Sequence, residues 1–473
     1  MILAQNLLQL LNGNKLWIVL CTFFLSCTAV KPVVSHKPTQ IIKAGTTPVS
    51  GKKDTVDVPV RDTAKKPDGV AKDVIKVDTI VWSDISKDKP PVREPQKTDV
   101  TGYTSDFKPV YNIKMLLPLN SDDIGDPGTS RFTFFYSGVL LALEELGIDR
   151  IKLNVDIIDT DENNFDLDKQ LNSIVTPETD LVIGPFDKDK IKVLSEACKK
   201  NNTVLVSPWY TSSKLTVQNP YYVQMNPNLK EHFNKIVQFS VNRYQPKEIT
   251  IVTRGNKDKA WVDYFENTAK KLSGSKKDFF NVYYVNTDSL KNGPTAFFNL
   301  FKTPNLKAVI IPNYSYSDEN YIYSCLRRLA AEISTHSVSV IGMPILFESD
   351  KIEFDYFRAL QMKVVMADFV DEDYGKIREF RRRFLDTYGE IPTVEAVKGY
   401  DLMIYLGKNL WKYGKHFQYL ADYNPVFYLQ SIYDLQRSFS DDTDENQIGG
   451  YFDYFENKHL DIIEYRGNKW MKL

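Results

Sequence analysis

Residues 180–194 read DLVIGPFDKDKIKVL. An apolar run, Leu181 to Ile183, stops at Gly184-Pro185, and alternating charges follow at once. A short continuous apolar segment bounded by Gly and Pro reads as a strand buried on both faces, the kind that parallel sheets contain. The turn after such a strand is where open α/β proteins hold a ligand. Here that turn carries Asp187, Lys188, Asp189 and Lys190. Asp187 stands where the following helix needs an N-cap.

The same rhythm extends in both directions. YNIKMLLPL, KLNVDIID and TVLVSP read as strands, and RFTFFYSGVLLALEEL, NFDLDKQLNSIV and KDKIKVLSEACKKN as helices between them. Gly147 suits the C′ position of the first helix and Asn164 the N-cap of the second. YYVQMNPN interrupts the series, and a second one begins. EITIVTR, FFNVYYVN, LKAVIIPN and VSVIGMP are its strands, with helices between them that include a short one at GPTAFFNLF. KVVMADF adds a strand, two helices follow it, and the alternating tail from Gly449 predicts a terminal hairpin. Strand–helix alternation of this kind predicts two doubly wound parallel-sheet lobes, an α/β architecture.

The N-terminus is different. Lys15 precedes a run of about ten apolar residues, too short for a bilayer span, which needs roughly 20; Ser26-Cys27 follows it. FLSC is similar to a bacterial lipobox, which implies a signal peptide over 1–26 and lipidation of Cys27. Residues 27–108 are rich in Lys, Pro, Thr and Asp and lack apolar periodicity, so they read as a flexible tether. As a coil of that length it would span roughly 50 Å. Within it, VIKVDTIVWSDIS around Trp82 alternates like a short strand or docking segment. The expected lobes are 109–226 with 363–435, and 227–362 with 436–473.

From about Tyr111 to Leu473 the order of motifs resembles the type I periplasmic-binding fold of Leu/Ile/Val-binding proteins and receptor ligand-binding regions. The resemblance is carried by IKMLLPL with YSGVLLALEEL, by VDIIDTDEN, by LVIGPFDKDKIKVL running into SPWYTSSKL, and by YGEIPTVEAVKGYDL. GPFDKDKIKVL is also similar to a pattern in penicillin-binding-protein activator lipoproteins, which implies a periplasmic location and an outer-membrane anchor. Amino-acid-binding members offer Ser or Thr hydroxyls where this chain has Asp187 to Lys190.

In such a fold the strand ends of both lobes face one cleft. On the first lobe, Ser207 and Thr211 match the resemblance by position, and Tyr210 adds a flat ring between them. Opposite them, Arg254 offers a fork for a carboxylate, with Asn313 and Tyr314 at the next strand end. These six are the candidate ligand-binding residues. Arg378, Arg381 and Arg382 share one helix face and read as a solvated surface paired with Glu372, Asp373 and Glu379.

Function classes are narrowed by what the sequence lacks. Net charge is −1, so no global field favours nucleic acid. No nucleophile-elbow, zinc-helix, Walker or dinucleotide motif is present, the five histidines are scattered, and no cofactor or metal set is legible. Cys198 and Cys325 read as free thiols on helices. The expected role is therefore non-enzymatic: binding an amino acid, peptide or cell-wall fragment between the lobes for transport or sensing. The alternative is an interaction scaffold that regulates an envelope enzyme such as a peptidoglycan synthase. The partners are a membrane through the lipid anchor, and a small polar ligand or an envelope protein.

Overall fold

The computed structural model describes residues 106–121, 128–161, 165–212, 214–292, 295–334, 336–421, 424–439 and 452–473. The expected signal peptide, Cys27, Trp82 with all but residues 106–108 of the expected tether, and Asn164 lie outside them.

The first series runs β1 Tyr111–Leu117, α1 Ser130–Ile148, β2 Leu153–Asp159, α2 Leu167–Ile174, β3 Leu181–Ile183, α3 Lys188–Asn201, β4 Val204–Ser207 and β5 Tyr222–Gln224. Helix α4, Leu229–Arg243, opens the second: β6 Ile249–Thr253, α5 Lys259–Ser273, β7 Asn281–Tyr284, α6 Thr287–Asn292, β8 Ala308–Ile311, α7 Glu319–Glu332, β9 Ser339–Gly342, α8 Ile345–Glu348, α9 Phe354–Ala359 and β10 Lys363–Met366. The chain then forms α10 Gly375–Tyr388 and α11 Val394–Tyr413, a small pair β11 Val426–Phe427 and β12 Ile432–Tyr433, and finally β13 Leu435–Ser438, β14 Tyr454–Asn457, β15 Asp461–Arg466 and β16 Lys469–Lys472.

These strands make two seven-stranded sheets, ordered β13-β14-β5-β4-β3-β1-β2 and β16-β15-β10-β9-β8-β6-β7. Pairing is parallel from β14 to β2 and from β10 to β7, and antiparallel at the outer strands. Three passages therefore connect the lobes, after β5, β10 and β14. Apolar side chains cover both faces of the first sheet. Ile113, Met115 and Val206 pack with α1 and α11 on one side, while Leu116, Val182 and Leu205 pack with α2 and α3 on the other. That is why its strands read as unbroken apolar runs.

Helices α1 and α11 cross closely. A Cβ on Gly138 would lie 1.9 Å from the Ala396 carbonyl oxygen, and one on Gly399 would lie 2.1 Å from that of Phe135. The glycines of YSGVLL and VKGYDL thus let two backbones touch, which no side chain would allow.

Several expectations move. Helix α1 continues through Gly147 to Ile148, and Arg150 takes the left-handed conformation (φ 63°) behind it. Asp166 caps α2, accepting from the Lys169 N–H. The short helix expected at GPTAFFNLF lies earlier, at Thr287–Asn292. Lobe boundaries shift at both returns. Residues 363–435 do not all belong to the first lobe, because β10 is fully buried and pairs with β9 in the second sheet. Nor do residues 436–473 all belong to the second lobe. The tail's hairpin is β15 with β16, turning at Gly467-Asn468, whereas β14 pairs with β5 in the first sheet. Alternation announces strands but does not name their sheet; pairing across long sequence separations decides that.

Candidate functional site

Carboxyl ends of the first-lobe strands gather at one edge, and their polar residues mostly hold the backbone there. Asp159, ending β2, accepts N–H groups from Leu119, Asn120, Ser121 and Asp161 at 2.7–3.2 Å. Burial pushes its carboxyl up, but these donors outweigh burial and hold it below the usual carboxylate range. After β3, Gly184 adopts φ 87°, and a Cβ there would meet the Leu116 carbonyl oxygen at 2.3 Å. Only glycine fits that exit. Asp187 then caps α3, accepting from the Asp189 and Lys190 N–H groups at 2.9 Å. Lys190 Nζ donates to the Thr160 carbonyl at 3.0 Å. The charged run that follows the strand is therefore a helix start tied to its neighbouring loop.

Between the lobes lies a cavity of about 560 Å³. Its walls come from both lobes and from the second passage between them: Thr211 and Asn226, Phe347 and Glu348 after β9, Met366 to Val370, and Val394, Glu395 and Lys398 of α11. Lys398 pairs with Asp368 at 2.7 Å, and Asp368 also accepts from Ser431 Oγ at 3.0 Å. Burial lowers the Lys398 amine, but attraction to Asp368 and Glu395 more than offsets it and raises it above the ordinary lysine value. His232, also in the wall, is buried with Nδ1 2.9 Å from the Asn228 carbonyl oxygen. Burial depresses its basicity, more than the Asn228 carbonyl restores it. The cavity thus presents paired charges, one buried imidazole and apolar surface from Phe347, Phe369 and Val394. Its size and mixture suit a small amphipathic ligand.

The six candidate residues fare differently. Thr211 is exposed and lines this cavity; it also borders a second one of about 410 Å³ with Ser212, Trp261 and Tyr264. Tyr210 is half-buried against the α3 side of the first lobe. Ser207 is fully buried, on the face of β4 that carries Leu205, beside Tyr222. Its hydroxyl lies inside the lobe and does not reach the cavity wall. Arg254 presents no free fork. It bonds Asp258 at 2.8 Å and Asp318 at 2.6 Å, and its Nε donates to Asp258 at 3.1 Å. Asn313 is fully buried and donates to the same Asp318 at 2.8 Å. A carboxylate fork expected for a ligand is filled from within the chain. Tyr314 is 42% exposed, its ring 5.6 Å from Trp261 at the second cavity.

Of the three residues that dominate the first-lobe edge, Trp209 reads from the sequence as a flat face, whereas Phe132 and Phe186 were missed. Phe132, Phe186 and Trp209 pack edge to face with centroids 5.2–6.0 Å apart. Trp209 Nε1 also donates to Glu395 at 3.3 Å, joining these rings to the cavity. The only signal was a large aromatic residue, Phe186, directly after Gly-Pro. On α10, the Arg face is solvated as expected. Arg381 pairs with Glu372, and Arg378 donates to the Asp373 carbonyl at 2.8 Å. Cys198 and Cys325 are buried free thiols, pushed up to about 12 by burial. Among the described residues no group of three or more His, Cys, Asp or Glu is placed to hold a metal ion, and no helix is long and apolar enough to cross a membrane.

Comparison with known proteins agrees with this architecture. A model of the receptor family ligand binding region matches residues 137–311, well under half of the chain. No protein with a curated description matches. Among solved structures, a putative branched-chain amino acid ABC transporter from Rhodospirillum rubrum aligns with TM-score 0.56 at 14% identity, covering 77% of this chain and all of that one. A substrate-binding protein from Desulfitobacterium hafniense in complex with Leu gives 0.46 at 16% identity, over 77% of this chain and 100% of that one. The LpoA C-domain from Haemophilus influenzae, a regulator of PBP1A, gives 0.47 at 12%, over 76% and 99%. The Rhodospirillum likeness and the sheet orders establish the type I periplasmic-binding fold.

Proposed function

We propose that this chain is a non-enzymatic binding protein of the bacterial periplasm that holds a small polar ligand between its lobes, for transport or sensing. An amino acid, a peptide or a cell-wall fragment is the class of ligand. The observation that carries this reading is the cavity of about 560 Å³ at the strand ends, walled by both lobes and by the second passage between them. A ligand there touches both lobes at once, so its binding energy favours their closure. The match of residues 137–311 to a receptor ligand-binding region supports the same reading. Val394 is half exposed and lines the cavity, so Val394→Trp fills the space without disturbing the core. Thermal-shift stabilisation of the wild type by an amino acid or muropeptide, lost in Val394→Trp, is the expected result. Equal stabilisation of both proteins would move the ligand elsewhere.

In this proposal residues 1–26 direct export, Cys27 carries the lipid that anchors the protein to the outer membrane, and residues 27–108 tether the folded part. Cys27→Ala should release the protein from the membrane fraction; unchanged fractionation refutes lipidation.

A second reading is favoured by one observation. Asp159, Asp187 and Arg254, at strand ends of both lobes, are engaged within the chain, and Asn313 Nδ2 donates to Asp318. A cleft with its polar groups engaged this way suits an interaction scaffold that regulates an envelope enzyme such as a peptidoglycan synthase. Under that reading, crosslinking to the enzyme survives Val394→Trp, and no small molecule shifts the melting temperature.

A further inference from the structure

We infer that the first-lobe face of the cleft is built for an organic monocarboxylate with a flat apolar body, the carboxylate taken by Arg131 and the flat body laid against Phe186. The inference rests on the cleft being a ligand site, and it names the class of ligand.

Arg131 stands at the start of α1 with its guanidinium carbon 4.5 Å from the Phe132 ring centre and 4.3 Å from that of Phe186. A guanidinium over aromatic rings is held by their electron-rich faces and can still donate through its N–H groups. Among the described residues no carboxylate pairs with it. Arg254, Arg358, Arg381 and Arg383 each have at least one. A cation partly shielded from water by two rings attracts an anion more strongly than one in bulk solvent.

Phe186 is 42% exposed at the strand exit that Gly184 shapes. Its ring meets Phe132 at 5.2 Å and 62°, and Trp209 at 6.0 Å and 75°. Phe132 meets Trp209 at 5.3 Å and 85°. Three rings in mutual edge-to-face contact hold one another in place, so the exposed part of the Phe186 ring is preformed apolar surface for another flat group.

Glu395 sets the ligand's charge. It bonds Trp209 and lines the cavity, so a negative charge stands beside that apolar surface. A monoanion can satisfy Arg131 there, whereas a dianion such as a phosphate ester is repelled.

The test is isothermal titration of the full chain, purified in detergent, with phenylacetate, acetate, phenyl phosphate and leucine. Phenylacetate should bind at least about ten-fold tighter than acetate or phenyl phosphate. Arg131→Gln should weaken phenylacetate by about ten-fold or more, the worth of one charge-assisted hydrogen bond, with the melting temperature unchanged. Phe186→Ser should abolish the preference for phenylacetate over leucine. Absence of heat from phenylacetate at millimolar concentration, or unchanged affinity in Arg131→Gln, overturns the inference. If leucine binds, is lost in Val394→Trp, and ignores both Arg131→Gln and Phe186→Ser, the cavity remains a ligand site and the ligand class named here is wrong. If no small molecule binds the wild type, both readings fall.

Discussion

Arg254 and Arg131 stand on opposite lobes, each beside the carboxyl end of a strand, and their surroundings are opposite. Arg254 is wrapped by Asp258 and Asp318, with Asn313 donating to the second of these. Arg131 lies over two phenylalanine rings and has no carboxylate partner among the described residues. One guanidinium is consumed in shaping the strand exit; the other keeps its donors for something outside the chain. The residue type is the same, so the presence of neighbouring acids separates architecture from recognition.

Substitutions test this contrast. The largest effect belongs to Arg254→Leu, which strands the fully buried Asp258 carboxylate without its cation. Loss of one partner from a buried pair costs about 3–5 kcal/mol, read from the urea midpoint. A loss below about 1 kcal/mol, the range of surface pairs, would show that Arg254 is dispensable to the fold and reopen it as a ligand group.

Glu456 extends the comparison to a carboxylate bonded by neutral donors. It accepts from the Asn228 N–H at 2.7 Å and from Ser438 Oγ at 2.7 Å, where the chain passes between lobes. Burial, with the charge of Glu231 adding to it, pushes its carboxyl up to about 7. The folded state therefore holds a proton that the unfolded chain releases near 4.5. Its stabilising effect is full below that value and declines as pH rises towards about 7, a loss of about 3 kcal/mol. Glu456→Gln should flatten this part of a stability–pH profile; an unaltered slope would mean that the donors keep Glu456 ionised.

Asp187→Ala removes the cap of α3 and should cost about 1 kcal/mol, measured by thermal unfolding. A loss several times larger would mean that Asp187 does more than start a helix. Smallest of all, Arg131→Gln should change stability by no more than about 0.5 kcal/mol, because Arg131 is itself exposed and has no buried counter-charge. A cost like that of Arg254→Leu would make the two arginines equivalent and remove the contrast.

Much of this was legible in the residues. The run LVI between Asp180 and Gly184-Pro185 announced a buried parallel strand, and Asp187 announced its helix cap. Both signals are local: apolar continuity reports two-sided burial, and a short side chain at a helix start bonds N–H groups two and three residues ahead. The site was less legible. Ser207 and Arg254 carry suitable groups, but whether a hydroxyl faces a cleft or a core, and whether a guanidinium finds Asp318 sixty-four residues later, depends on contacts that local pattern does not encode. Phe186 was visible only as an aromatic residue after Gly-Pro, and its meaning required Phe132 and Trp209 at its side.

By itself, then, the chain's order of strands and helices determined two parallel-sheet lobes, because burial on both faces forces continuous apolar runs wherever they occur. Only the tertiary structure decided which sheet received β10 and β14, which arginine was caged, and which was left over the rings. Those outcomes turn on pairings between distant segments, where one carboxylate more or fewer within reach changes what a side chain is free to do.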